Sequence, residues 1–232
     1  MESKNPILFR GILKFKNMEK CKELKRDFFY IDTGYFGNEV KRKIFHRVVK
    51  NNLQNIGQVI NRPKDRLRQT KIKLVKFRPG KSILLCPPSE KVMKCFDLNL
   101  DDWLKETINT IKTYSDRPII IRKKQERSVR MTTDTIQMAL ASDIHCLVTF
   151  NSIAATEALL LGKPAFTLGP NAAQSLCLSD LSLIDKPYIP TLDEVEEWAA
   201  HLAYCQFTEQ EMRNGLAWEI LNENSNLPIS SS

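Results

Sequence analysis

The chain has 232 residues, 42% of them hydrophobic and 27% charged, the balance of an ordinary globular protein. That length can bury a sizeable core in one large or two small domains. No apolar run reaches the roughly 18–20 residues of a spanning helix, and MESKNPILFRG has no signal-peptide h-region, so a cytoplasmic location is expected.

Six scattered cysteines form no CxxC pair and have no histidine at zinc-ligand spacing, which points to free thiols in a reducing compartment and to no metal site. The net charge of +8 is divided unevenly. Residues 1–81 hold 22 Lys/Arg against 7 Asp/Glu, and residues 82–232 hold 13 against 20. RPKDRLRQTKIKLVKFRPGK (62–81) alone carries nine cations and one acid. Either the first third faces an anionic partner or it carries a solvated lysine-rich surface.

In chain order, ILFRG (7–11) reads as a short strand and Leu13 to Lys25 as a basic helix. FFYIDTGYFGN (28–38) is a β-rich run closed by glycines. Phe45 to Ile60 is expected to be a helix, with Val48, Val49, Leu53 and Ile56 at roughly helical spacing. IKLVKF (72–77) reads as an edge strand wetted by its lysines. Arg78-Pro79-Gly80-Lys81 punctuates the chain, giving a basic unit over 1–80 and a second unit over 81–232.

The second unit alternates regularly. SILLCPP (82–88) is a buried strand, Asp101 to Tyr114 a helix, and PIIIRKK (118–124) another buried strand. A helix capped by Thr132, Thr133 or Asp134 runs to about Ala141, and CLVTF (146–150), helix 153–161 and PAFTLG (164–169) follow. This order predicts a parallel sheet covered on both faces, with ligands beyond the carboxyl ends of its strands. Thr191…Glu194 and Thr208…Glu211 match capping boxes, and Val195, Trp198, Ala199 and Leu202 form a core stripe. DLNLDD (97–102) begins like a calcium loop but lacks its glycine and closing acid, so it reads as a helix cap.

Candidate site residues cluster at the predicted strand ends. Asn151-Ser152 can cap the helix after CLVTF, where free backbone N–H groups favour phosphate. Glu157, one turn further on, can accept hydrogen bonds from a ribose diol. A helical glutamate ordinarily faces solvent, but a lone acid in AATEALLL points to a ligand. Arg122, Lys123 and Lys124 end a strand on the ligand side, where cations can neutralise a diphosphate or simply form a basic loop. Ser89 and Lys91 occupy an equivalent rim after the first strand. Lys163, after the Gly162 helix stop, reads as solvated. In YIDTGYFG, Asp32 can be a general base toward an acceptor hydroxyl or a turn cap, and His46 is a second base candidate. GxGxxG, Walker, GxSxG and HExxH patterns do not occur.

FNSIAATEALLLGKPAFTLG (150–169) resembles the donor-binding segment of glycosyltransferases with two facing Rossmann-like lobes, the GT-B fold. It is especially similar to capsular-polysaccharide sugar transferases, whose pattern is roughly N-S-T-x-x-x-E-A-L-L-x-G-K-P-V. Asn151, Ser152, Glu157, Ala158, Leu159, Leu160, Gly162, Lys163 and Pro164 match, with Ile153 in place of Thr. The resemblance implies an α/β, GT-B-like fold and an enzyme that needs neither cofactor nor bound metal. Asn151, Ser152 and Glu157 would contact a nucleotide-sugar co-substrate, with a UDP-sugar the expected donor. The chain departs in having Lys123-Lys124 where that family commonly has His-Pro, and its N-terminal lobe is short. In this fold residues 1–80 would hold the acceptor and 81–232 the donor. The basic first third then implies a polyanionic acceptor, first of all DNA bearing hydroxymethylated pyrimidines, as for some phage enzymes, which would place the protein in a host cytoplasm. A surface-polysaccharide or lipid-linked acceptor, and a non-catalytic nucleic-acid-binding module, are the alternatives.

Overall fold

The computed structural model describes residues 5–39, 42–124 and 135–225. Two four-stranded sheets organise them. The first takes β1 (Ile7–Arg10), β2 (Phe28–Thr33), β3 (His46–Lys50) and β8 (Gln206–Phe207), in that spatial order. β1 runs parallel to β2, and the β2–β3 and β3–β8 pairs are antiparallel. A boundary at residue 80 is therefore crossed by the C-terminal segment, whose Phe207, Ala217 and Ile220 pack with Phe29 and Val48.

The expected helix over 45–60 is instead β3 followed by a loop. Val48 and Val49 stand opposite Ile31 and Tyr30 on β2, and all four side chains belong to buried or partly buried packing. Two β-branched residues in a five-residue run fit a strand covered on both faces, and pairing with β2 and β8 outweighs the weak helical spacing. α1 (Phe15–Glu23) connects β1 and β2 and buries Met18 and Cys21.

The second sheet is wholly parallel, in the order β5-β4-β6-β7. Its strands are β4 (Ser82–Cys86), β5 (Ile119–Ile121), β6 (Ile144–Thr149) and β7 (Ala165–Thr167). Alternation divides its side chains between two cores. Leu84, Cys86, Leu147 and Ala165 join α5 (Ile136–Ala141), α6 (Ala154–Leu160) and α7 (Leu192–Ala203) on one side. Ile83, Leu85, Cys146, Val148 and Phe166 meet α4 (Leu100–Tyr114) and Leu181–Leu183 on the other. Tyr35, Phe36 and Leu67 from the first third enter the larger core, so the two sheets share one packed interior.

Local signals place four of the helix starts. Asn99 accepts the amides of Asp101 and Asp102 ahead of α4, as the cap reading of DLNLDD requires. Both capping boxes form, at Thr191 before α7 and at Thr208 before α8 (Glu209–Arg213). Thr135 caps α5, while Thr132, Thr133 and Asp134 lie outside the described residues.

Three further expectations are corrected. PIIIRKK contributes only the edge strand β5, with Ile120 and Ile121 46% and 44% exposed, because it pairs with β4 alone. IKLVKF is extended but joins no sheet. Val75 N–H donates to the Leu160 carbonyl and Arg78 N–H to that of Gly162, so this stretch closes the C-terminal end of α6. Gly162, at φ +69°, makes that contact possible, since a Cβ there would lie 2.4 Å from the Lys76 carbonyl oxygen. Lys163 is buried rather than solvated, and its ammonium donates to the carbonyls of Ile144 (2.8 Å) and Arg78 (3.1 Å).

Candidate functional site

The parallel sheet sets the position of the site. The chain steps from β4 outward to β5, then crosses to β6 on the other side of β4, so strand order reverses between β4 and β6. A crevice is expected beyond their carboxyl ends. There the Thr149 hydroxyl donates to the Cys86 carbonyl at 2.6 Å and fastens the two strand ends together. Phe150 follows, its ring against Phe96 (5.1 Å) and Trp103 (6.3 Å), and Phe96 reaches Phe15 of α1 at 6.1 Å. The ring also lies over Gly169, where a Cβ would come within 2.6 Å of it.

Asn151 and Ser152 are half-buried on this loop. The Ser152 hydroxyl accepts the Ala154 amide at 3.2 Å, one residue ahead of the Ile153 N-cap of α6, which itself carries no side-chain cap bond. Their backbone carbonyls are turned inward, that of Asn151 to the Gln54 carboxamide and that of Ser152 to Asn171 Nδ2 at 3.0 Å. α6 spans seven residues, so side-chain charges rather than a long helix dipole dominate the local field.

Glu157 projects from α6 and remains half-buried. Its Oε1 accepts Gln137 Nε2 from α5 at 2.8 Å. Burial pushes its carboxyl pKa up to about 7, against the opposing pull of Arg122, Lys43 and the Gln137 bond. The group therefore titrates near neutrality. Arg122 extends the β5 ladder through its amide, which donates to the Leu85 carbonyl, and its charge also acts on Cys86. Lys43 arrives from the other sheet, on the stretch leading into β3.

Asp32 stands at the carboxyl end of β2. It accepts the Tyr30 hydroxyl (2.7 Å), the Thr33 amide (2.7 Å) and Arg47 Nη2 (3.2 Å). Burial works to raise its pKa, but Arg47, these hydrogen bonds and the charge of Lys124 hold it below the usual carboxylate range. Lys124 belongs to the same run as Arg122. The run thus acts on two carboxylates: Glu157 on α6, whose pKa is raised to about 7, and Asp32 on β2, which is held ionised.

The remaining sequence candidates divide. Ser89 lies at the rim beyond β4, where it begins α3 (Glu90–Cys95) without a side-chain cap bond. Lys123 is exposed between Arg122 and Lys124. His46 does not join Asp32. It stands opposite Thr33 while Arg47 stands opposite Asp32, and alternate residues of a strand face opposite ways. Burial and Arg10 lower its pKa against the opposing pull of Glu209 and Asp32, and the ring is enclosed. Lys43, Arg47, Gln54, Gln137 and Asn171 were not legible as site residues, because no local pattern distinguishes them. Cavities of about 400 and 660 Å³ lie elsewhere, beside Val75–Phe77 and along the outer edge of β5.

Part of the basic first third is neutralised within the fold. Lys64 pairs with Glu196 on α7, and Arg66 is buried against Glu211 on α8 at 2.7 Å. Arg62 and Arg66 both stack on Tyr204, at 5.1 and 5.5 Å from its centroid. Among the described residues, no group of three or more His, Cys, Asp or Glu is placed to hold a metal ion, and no helix is long and apolar enough to cross a membrane.

No family model and no curated protein sequence matches the chain. Solved structures do. The β Kdo 2,7 transferase of Thermosulfurimonas dismutans KpsC superposes with a TM-score of 0.50 at 13% identity, covering 94% of this chain and 85% of that one. The β Kdo 2,4 transferase of the same protein gives 0.48 at 14% identity, covering 90% and 86%. The first of these likenesses shows a fold shared with a sugar transferase.

Proposed function

We propose that this chain is a GT-B-type glycosyltransferase that moves a sugar from a nucleotide-activated donor to a hydroxyl of a surface-polysaccharide acceptor. The observation that carries this reading is that one basic run at the end of β5 acts on two carboxylates, Arg122 on Glu157 of α6 and Lys124 on Asp32 of β2. Glu157 accepts hydrogen bonds from the donor's ribose hydroxyls, and Arg122 and Lys43 offset the phosphate charge. Asp32, already ionised, takes the proton of the acceptor hydroxyl as its oxygen bonds to the anomeric carbon. The bond from that carbon to the phosphate oxygen breaks, and the nucleotide leaves with the electron pair.

The polysaccharide acceptor is supported by the NS…EALLxGKP motif and by a fold shared with a Kdo transferase. A DNA acceptor rested on the basic first third, and the internal pairing of Lys64 and Arg66 weakens that ground. The test is a panel of nucleoside mono- and diphosphate sugars, UDP-sugars included. Oligosaccharides and hydroxymethylated DNA serve as separate acceptors, and the mass gain is read by mass spectrometry. A gain on an oligosaccharide is expected. A gain on DNA alone would move the acceptor to nucleic acid, and no gain together with no nucleotide binding would overturn the transferase reading.

A further inference from the structure

Between β3 and α2 (Asp65–Gln69) the chain crosses from one sheet to the other. Gln54 lies on that crossing, 4% exposed, and its carboxamide is used at both ends. Nε2 donates to the Asn151 carbonyl, and Oε1 accepts the Ala172 amide at 3.1 Å. The loops it joins follow β6 and β7. The second loop is fixed from its far side as well, because Trp198 Nε1 donates to the Ala172 carbonyl at 2.8 Å. Gln174 Nε2 adds a parallel tie to the Ile56 carbonyl at 3.0 Å.

The preceding residue extends the link to Asp32 on β2. Arg47 donates to the Leu53 carbonyl through Nε (3.3 Å), to the Thr33 carbonyl through Nη1 (2.8 Å) and to Asp32 through Nη2 (3.2 Å). A continuous set of bonds therefore runs from Asp32 through Arg47 and the Leu53–Gln54 peptide to Asn151. Asn151 itself is half-buried, and among the described residues its side chain makes no hydrogen bond within the fold. Fixing its backbone aims that carboxamide.

We propose that Gln54 is a positioning residue: it holds Asn151 in register with Asp32, and so sets how a donor bound beyond β6 is presented to the acceptor side. The proposal rests on the glycosyltransferase reading. A glutamine suits the position because one group must supply a donor and an acceptor in opposite directions, and burial makes each unmade bond costly.

The test compares donor kinetics and the binding of CMP, UMP, UDP and GDP in wild type, Gln54→Met and Gln54→Glu. Methionine keeps the bulk and loses both bonds, while glutamate keeps the acceptor and loses the donor. Lys163→Met serves as a control that removes buried ties at the opposite end of α6. Gln54→Met should raise the donor KM roughly tenfold, the order of the one buried hydrogen bond that holds Asn151. Gln54→Met combined with Asn151→Ala should add little to either alone, and the control should lower Tm without changing donor KM. If Gln54→Met does not fold, the same rise in KM is required of Gln54→Glu. Donor KM within twofold of wild type in a folded Gln54 variant overturns the proposal while leaving the transferase reading intact. A wild type that binds none of the four nucleotides and transfers no sugar overturns both.

Discussion

Replacing Glu157 by glutamine should stabilise the protein, and only above a definite pH. The folded carboxyl binds its proton more tightly than the unfolded one, with its pKa moved from 4.5 to about 7. Its contribution to stability is therefore fully present below pH 4.5 and lost as pH rises through 7. Above that, the native state carries an ionised carboxylate in a partly desolvated place. The shift sets an upper bound of about 3 kcal/mol, and the partial contact of the side chain with solvent reduces this to about 1–2 kcal/mol. Glutamine keeps an oxygen for Gln137 and removes the charge. For a chain of this size, the expected gain in Tm at pH 8.5 is about 2–8 °C, shrinking to nothing near pH 4.5. Paired thermal melts of the two proteins across that range make the measurement. A difference independent of pH, or a loss of stability at pH 8.5, would refute the argument. Donor binding should fall in the same variant, since a residue that destabilises the fold while serving the site shows the usual conflict between stability and activity.

Asp32→Asn should lower turnover by about 10²–10⁴-fold with nucleotide affinity unchanged, as measured by steady-state kinetics and calorimetry. The pKa of Asp32 is depressed, so its contribution to stability is present at neutral pH and lost on acidification below the usual carboxylate range; the variant's Tm deficit should vanish there. Gly169→Ala drives a methyl against the Phe150 ring and should cost about 1–3 kcal/mol in denaturant unfolding, more than an exposed glycine-to-alanine change. Lys163→Met leaves the Ile144 and Arg78 carbonyls without their ammonium donor, and a loss of about 1–3 kcal/mol is expected in the same assay.

The parts of the fold that were legible in the sequence are those fixed by local chemistry. The β4-to-β7 alternation was readable because buried runs such as SILLC and CLVTF sit between capped or amphipathic stretches, and Asn99, Thr191 and Thr208 cap where their spacing says they should. HRVVK was not, because its two partners lie on β2 and on β8, the latter some 160 residues away in the chain. The lysines of 72–77 are exposed as an edge strand's would be, yet the stretch joins no sheet, since exposure pattern does not say whether the backbone bonds to a sheet or to the end of a helix. In the site, Glu157 stood out as the single acid of an apolar helix. Gln54 and Gln137 could not, since a buried glutamine looks like any loop or surface glutamine until its partners are placed.

The charge asymmetry takes on a different meaning in three dimensions. Of the nine cations between 62 and 81, Lys64 and Arg66 answer acids on α7 and α8, so part of the imbalance between the two stretches is complementarity within one interior. The exposed remainder includes Lys76 and Arg78, on the stretch that closes the C-terminal end of α6. α6 begins where β6 ends, so its C-terminal end lies toward the amino end of the sheet. A polyanion gripped there would sit toward the opposite end of the parallel sheet from the start of α6. The cations that do reach the two carboxylates are Lys43, Arg47, Arg122 and Lys124, and two of these four come from the acidic stretch of the sequence. Four cations set among two acids make a local balance of charge, separate from the exposed basic stripe at Lys76 and Arg78.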